Sequence, residues 1–317
     1  MKIKYTILIS VLLILSACSD HQVFEDEQYK NVFGFVSNSD NIQSQMFSLT
    51  NDESTGYVSF SMGGSTKTSE DVTINLVEDS TLVNDYNKNT YDQEVENYAK
   101  VLPKKNYDLS SLQCTIKAGD TNGIVPVTIR PEGLSPDTTY FIPLRVVSYQ
   151  KYEANPNKST LLYHVRIRNK WAKDDGSSVY TMAALRKELG ASEINMPGSV
   201  VMYPLSSNSV RIMAGNESYS ASIETFNKSA LILQIDSKKV TILPYKDMKV
   251  KQLDGDSDYP NTFAVTTDGY NYYKTFLLHY QYEVDNTVYE MKEELRLQYN
   301  PDDANEELKV ENTTSGK

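Results

Sequence analysis

The chain has 317 residues, carrying 31 basic and 42 acidic side chains for a formal net charge of −11. That acid surplus repels phosphate backbones and anionic headgroups, which excludes nucleic acid as a partner class. The only cysteines are Cys18 and Cys114, so no disulfide framework holds the fold, while 23 tyrosines and recurrent valine and threonine favour strands.

Residues 1–17 read as an export signal. Lys2 and Lys4 precede an apolar run from Ile7 to Leu15, broken only by Ser10. The run is about nine residues long, whereas a bilayer-spanning helix needs about 20. Leu15-Ser16-Ala17-Cys18 resembles the lipobox of bacterial lipoproteins. In that family the cysteine thiol takes a diacylglycerol, the chain is cut before it, and the new amine is acylated with palmitate-type chains. The resemblance therefore implies lipidation at Cys18 and an outer-membrane lipid as partner. Acyl burial gains about 0.8 kcal/mol per CH₂, so several chains on one residue hold firmly. Residues 18–30, with Asp20, Glu25, Asp26 and Glu27, form an acidic tether.

From Asn31 the pattern is strand, turn, strand. Phe33 and Phe35, then Met46, Phe47 and Leu49, then Tyr57 to Met62, then Val72 to Val77 are short β-rich runs. Asp79 to Lys100 is polar and reads as a long loop with a helical turn near Val95 to Ala99. Leu112 to Ile116 and Ile124 to Ile129 flank the turn Ala118-Gly119-Asp120, and Cys114 falls on the apolar face as a buried thiol. Tyr140 to Val147 and the alternating "LLYHVRIR" (Leu161 to Arg168) complete the set. Strands at this spacing predict an immunoglobulin-like β-sandwich over 31–169.

"NKWAKDDGS" (Asn169 to Ser177) is turn-forming and marks the domain boundary. Val179 to Leu189 suits a helix through Met182, Leu185 and Leu189, or a strand through Val179 to Met182. The remainder is β: Val200 to Tyr203, Val210 to Met213, Leu231 to Ile235, Val240 to Leu243 and Thr262 to Thr266. In a final hairpin, Phe276, Leu278, Tyr280, Tyr282 and Val284 face one way and Asp285-Asn286 turns the chain. Tyr289, Met291, Leu295, Leu297 and Tyr299 share a face on the return. The expectation for 172–300 is a second antiparallel β-sandwich or barrel. Residues 301–317 are expected as a disordered tail.

Stretches "VLPKKNYDL", "TIKAGDTNGIVPVTI" and "GLSPDTTYFIPLRVVS", together with the lipobox, resemble the immunoglobulin-like N-terminal domain of a family of Bacteroidetes outer-membrane lipoproteins. The shared pattern is a "TIKAG" turn (Thr115 to Gly119) and a strand carrying Leu134, Tyr140, Pro143 and Leu144. "YYKTFLLHYQYEV" resembles the β-rich C-terminal domain that follows in that family. The resemblance implies a glycan-binding protein beside a SusC/SusD-like transporter, anchored to the outer membrane and facing the cell exterior. The acidic run after Cys18 is interrupted by His21 to Phe24, which leaves the inner leaflet open as a location.

His21, His164 and His279 stand apart in the sequence, and no zinc, nucleophile-elbow or phosphate-loop motif is present, so no catalytic residue or cofactor is expected. Asp254, Asp256 and Asp258 make one metal-like string with hard oxygens suited to Ca²⁺. The same string reads as a solvated turn, since Tyr259 and Val265 stand where the calcium loop needs glycine and glutamate. Sugar recognition in water uses flat aromatic rings beside amides and carboxylates. Trp171, Tyr259, Tyr270 and Tyr273 are the candidate stacking residues in a distal C-terminal domain. Alternatively, Trp171 packs at the domain junction and the tyrosines cap the fold. The leading expectation is a non-catalytic glycan-binding accessory lipoprotein, and the rival is a structural, adaptor or adhesion lipoprotein without a sugar site.

Overall fold

The computed structural model describes residues 30–218 and 223–310. Cys18, the export signal, the tether up to residue 29 and residues 311–317 lie outside the described residues. Strand accounts for 52% of the chain and helix for 9%, which makes the architecture all-β, in two domains with separate cores.

The N-terminal domain is a sandwich of two sheets. One carries five strands, with Ser54–Gly63 between Val32–Phe35 and Asn122–Ile129. The other carries six, with Thr160–Arg168 between Ile42–Ser48 and Tyr140–Gln150. Strict alternation sends Val58, Phe60, Val125, Val127 and Ile129 inward from the first sheet. Ile74, Ile142, Leu144, Tyr163 and Val165 meet them from the second, all buried. Each such side chain contributes about 1.5–3 kcal/mol on burial, so the alternating pattern itself selects the fold. Gly56 is needed for the close approach of the sheets, because a Cβ there would run into the Tyr163 hydroxyl and the Phe47 ring. Cys114 is buried, and burial pushes its thiol up to about 11, so it is an inert packing residue.

The polar stretch after Asp79 departs from the expected loop in one respect, a helix at Thr81–Tyr91, while the helical turn expected near Val95 is present as a short 3-10 helix, Val95–Asn97. The helix buries only Val83 and Asn87. Asn87 accepts from the Ala99 backbone N–H at 2.8 Å and donates to the Ala99 carbonyl at 2.9 Å, which satisfies its amide in the core. The apolar side of the helix is limited to Leu82, Val83 and Tyr86, and the anchoring asparagine supplements it.

The C-terminal domain is built on one eleven-stranded sheet whose pairings are all antiparallel. A single residue pair, Lys239 with Thr262, joins its two halves. The halves pack on each other through Tyr180, Ile212, Leu231, Leu233, Phe276, Leu278 and Met291. Val179–Glu188 is a strand, because it pairs with Thr287–Tyr299 over eight positions and with Gly198–Val201 on its other side. The last hairpin turns at Asp285 (φ 50°) and Asn286 (φ 64°), the left-handed pair that a two-residue turn requires. A short helix, Ile223–Ser229, was not legible beforehand.

Residues 301–310, the described part of the stretch expected as a disordered tail, lie against both domains. Glu306 accepts from the buried Lys274 ammonium at 2.9 Å, and Glu307 accepts from the Thr50 hydroxyl at 3.1 Å and lies 3.3 Å from Arg168. Leu308 packs on the C-terminal core. Burial pulls the Lys274 pKa down, and Glu306 together with the Lys170 carbonyl (2.6 Å) keeps that ammonium satisfied. This segment ties the two domains together because it supplies carboxylates to cations at their junction.

Candidate functional site: a groove at the domain junction

Arg211 lies on the strand Ser209–Met213 and is 1% exposed. The rings of Phe226, Tyr203 and Tyr245 surround its guanidinium at 4.5, 5.2 and 5.3 Å. Asp137, from the loop before the strand Tyr140–Gln150 of the other domain, clamps it with bonds of 2.5 and 2.6 Å. Burial opposes the charge on Arg211, but the paired carboxylate outweighs it and raises the pKa.

Two cavities abut at this clamp, and Tyr203 lines both. The first, about 340 Å³, runs over the C-terminal domain between Met182, Gly198, Gly215, Asn216 and Glu217. The second, about 280 Å³, lies between the domains and is walled by Thr138, Thr139, His164, Arg166 and Asp174. Arg166 donates twice to Asp174, at 2.8 and 3.0 Å, and the Ile167 N–H donates to the same carboxylate at 2.9 Å. Burial nonetheless raises the Asp174 pKa. His164 is pushed down to about 4 by burial and by Arg166, so it stays neutral, and its Nδ1 sits 3.2 Å from the Ser44 hydroxyl. The two linings share Tyr203 and carry hydroxyls (Ser199, Thr138 and Thr139), the Asn216 amide and the paired charges Arg166–Asp174 and Arg211–Asp137, with the Glu217 carboxyl at the rim of the first.

The groove floor rests on a buried polar chain. The Gly215 N–H donates to the Tyr280 hydroxyl at 2.9 Å, and Tyr280 donates to Glu293 Oε1 at 3.1 Å. Glu293 is fully buried, its Oε2 has no hydrogen-bond partner, and burial pushes its pKa up to about 8. Gly215 (φ 52°) must be glycine, since a Cβ would sit 2.5 Å from the Tyr282 hydroxyl. Burial also raises the pKa of Glu217 at the groove rim.

The residues singled out from sequence do not make one platform. Trp171 is 6% exposed and packs edge-on to Phe263 at 5.8 Å within the core. Tyr270 is 94% exposed at the tip of the hairpin that joins Thr262–Thr267 to Tyr272–Val284. Asp268 holds that tip by accepting from the backbone N–H groups of Tyr270 (2.9 Å) and Asn271 (2.8 Å) and from the Tyr273 hydroxyl (2.8 Å). Those bonds hold the Asp268 pKa well below the usual carboxylate range. Arg296 covers the Tyr273 ring at 4.0 Å. Lys274, four residues beyond Tyr270, donates to the Lys170 carbonyl at 2.6 Å, which puts this tip close to the segment that joins the domains. Tyr259 belongs to the turn near Lys292 and Glu294, about 13 Å along the strand from Gln298, the partner of Tyr273.

The three aspartates do not converge on a cation. Asp254 accepts from Gln252 and Asn261, and Asp256 accepts from the backbone N–H groups of Asp258 and Tyr259 and pairs with Lys292 at 2.7 Å. Among the described residues, no group of three or more His, Cys, Asp or Glu side chains is placed to hold a metal. Sequence reasoning missed Asp137, Tyr203, Arg211 and Glu293. Only Glu293 had left a signal, a carboxylate in phase with the apolar face of Met291 and Leu295.

A family model described as an N-terminal domain matches residues 24–153, and one described as a C-terminal domain matches residues 159–296. The chain is built from these two family domains. Its fold is shared with a protein of unknown function from Bacteroides ovatus, 15% identical with a TM-score of 0.64 over 90% of this chain and 98% of that one. It is likewise shared with a multidomain protein including DUF1735 from the same organism, 15% identical with a TM-score of 0.63 over 86% and 95% of the two chains. An auxiliary nutrient binding protein from Bacteroides thetaiotaomicron is 14% identical, with a TM-score of 0.56 over 83% and 94%. No curated protein matches.

Proposed function

We propose that the chain is a lipid-anchored, cell-surface accessory protein that binds glycan for a polysaccharide uptake system without catalysing its breakdown. The observation that carries this reading is the junction, where Tyr203 lines two cavities furnished mainly with hydroxyls, an amide and the paired charges of Arg211–Asp137 and Arg166–Asp174. Such a lining suits a neutral, hydroxyl-rich chain lying along the groove. A nutrient-binding protein on the same fold, and the lipobox-like run ending in Cys18, support the setting.

Isothermal titration of the chain against a panel of plant and host oligosaccharides is expected to show saturable binding. Tyr203→Ala should weaken it about tenfold, a loss of roughly 1.4 kcal/mol, while Tyr203→Phe, which keeps the ring over Arg211, should retain most of it. In cells, Cys18→Ser should abolish palmitate incorporation and release the protein from membranes. A blank titration together with retention by a purified transporter complex would favour the adaptor reading instead.

A further inference from the structure

A second groove of different make-up lies on the N-terminal domain. It encloses about 500 Å³ between the helix Thr81–Tyr91 and the edge strand Ile42–Ser48. Leu82, Tyr86, Asn89 and Thr90 line it from the helix, a spacing that puts all four on one helical face. Asp40 and Asn41 close the opposite side. Asn41 (φ 59°) holds its turn open in the left-handed conformation, and its amide donates to the Thr160 hydroxyl at 3.4 Å.

The Tyr86 ring is fixed from two directions. It meets Phe141 edge-on at 4.9 Å and Tyr91 at 6.0 Å. The Asn87 anchor to Ala99 pins the helix that carries it. A rigid ring beside two carboxamides, two hydroxyls and a carboxylate costs little ordering entropy when a ligand arrives. These groups are those that pair a pyranose face with its ring hydroxyls. Asp40, on a chain of net charge −11, disfavours uronates and sulfated sugars.

Building on the glycan-binding reading, we infer that this groove is a second carbohydrate subsite, selective for a neutral hexopyranose, so that one polysaccharide chain is held at both domains. Two tethered contacts raise apparent affinity for a long chain by about 10²–10⁴ over either contact alone.

The test uses the neutral polysaccharides laminarin, yeast mannan and xyloglucan in affinity gels, with short oligosaccharides of each in titrations. Wild type should bind two oligosaccharides per chain, and Tyr86→Ala should leave one. In the gels Tyr86→Ala should lose at least tenfold in retention, and carboxymethylated versions of the same polymers should be retained less. Asn89→Ala, at an exposed position of the groove lining, gives the same readout should the tyrosine variant fail to fold. A single site per chain, lost in Tyr203→Ala and unmoved by Tyr86→Ala and Asn89→Ala, overturns this inference alone. Absence of any sugar binding by wild type overturns it together with the proposed function.

Discussion

Asp137→Ala is expected to destabilise the chain by about 2–4 kcal/mol, read as a lowered urea midpoint at pH 7. The physical cause is the guanidinium left behind. Arg211 sits among three aromatic rings with its charge compensated from the other domain, and removal of the carboxylate strands that charge out of reach of water. The lower part of the usual range for a broken buried pair applies because the Asp137 side chain is 38% exposed and solvent relieves part of the loss. Two comparisons sharpen the expectation. Glu153→Ala breaks the exposed pair with Lys30 and should stay within about 0.5 kcal/mol of wild type. Asp137→Leu combined with Arg211→Met removes both charges and fills the aromatic pocket, and it should recover most of the loss. If Asp137→Ala matched Glu153→Ala, the clamp would have no part in holding the domains together.

Glu293→Gln is expected to stabilise the protein at pH 9 by about 5 kcal/mol and to make almost no difference near pH 4. In the folded chain the carboxyl keeps its proton up to about pH 8, against 4.5 for the ordinary group. Below about 4.5 both folded and unfolded chains are protonated at this position. Between 4.5 and 8 only the unfolded chain releases the proton, so the contribution of Glu293 to stability falls as pH rises. Above 8 both states are ionised and the loss levels off at its full size. Glutamine cannot ionise, so the gap between variant and wild type should open across that window when denaturant midpoints are compared at pH 4, 6 and 9. A gap that stays constant with pH would show that Glu293 is already ionised in the folded chain. Because Tyr280 links Glu293 to the Gly215 backbone, the same titration reaches the groove floor.

The strands were legible because each writes its own pattern. Tyr57 to Met62, Leu161 to Arg168 and the last hairpin alternate with period two, and Asp285-Asn286 takes the left-handed turn those two residue types tolerate. The helix Thr81–Tyr91 was illegible because its apolar side is short, only Leu82, Val83 and Tyr86, and its second buried residue is the polar Asn87, held by hydrogen bonds to Ala99. Val179–Glu188 carried both periods at once, and pairing with neighbours on both sides decided between them. Trp171 and Tyr270 show the same limit for function. Both are aromatic residues outside the predicted strands, yet one is in the core and the other almost wholly in solvent.

Local chemistry along the chain therefore determined the all-β class, the inward faces of the strands and the left-handed hairpin turn. Those properties depend on neighbours within a few residues, where steric and hydrophobic periods act directly. Only the tertiary structure decided the junction groove, since Asp137 and Arg211 lie 74 residues apart and meet across two domains. It likewise decided which tyrosines face solvent and that Glu293 keeps its proton, because burial and charge compensation are properties of the surroundings and not of the residue.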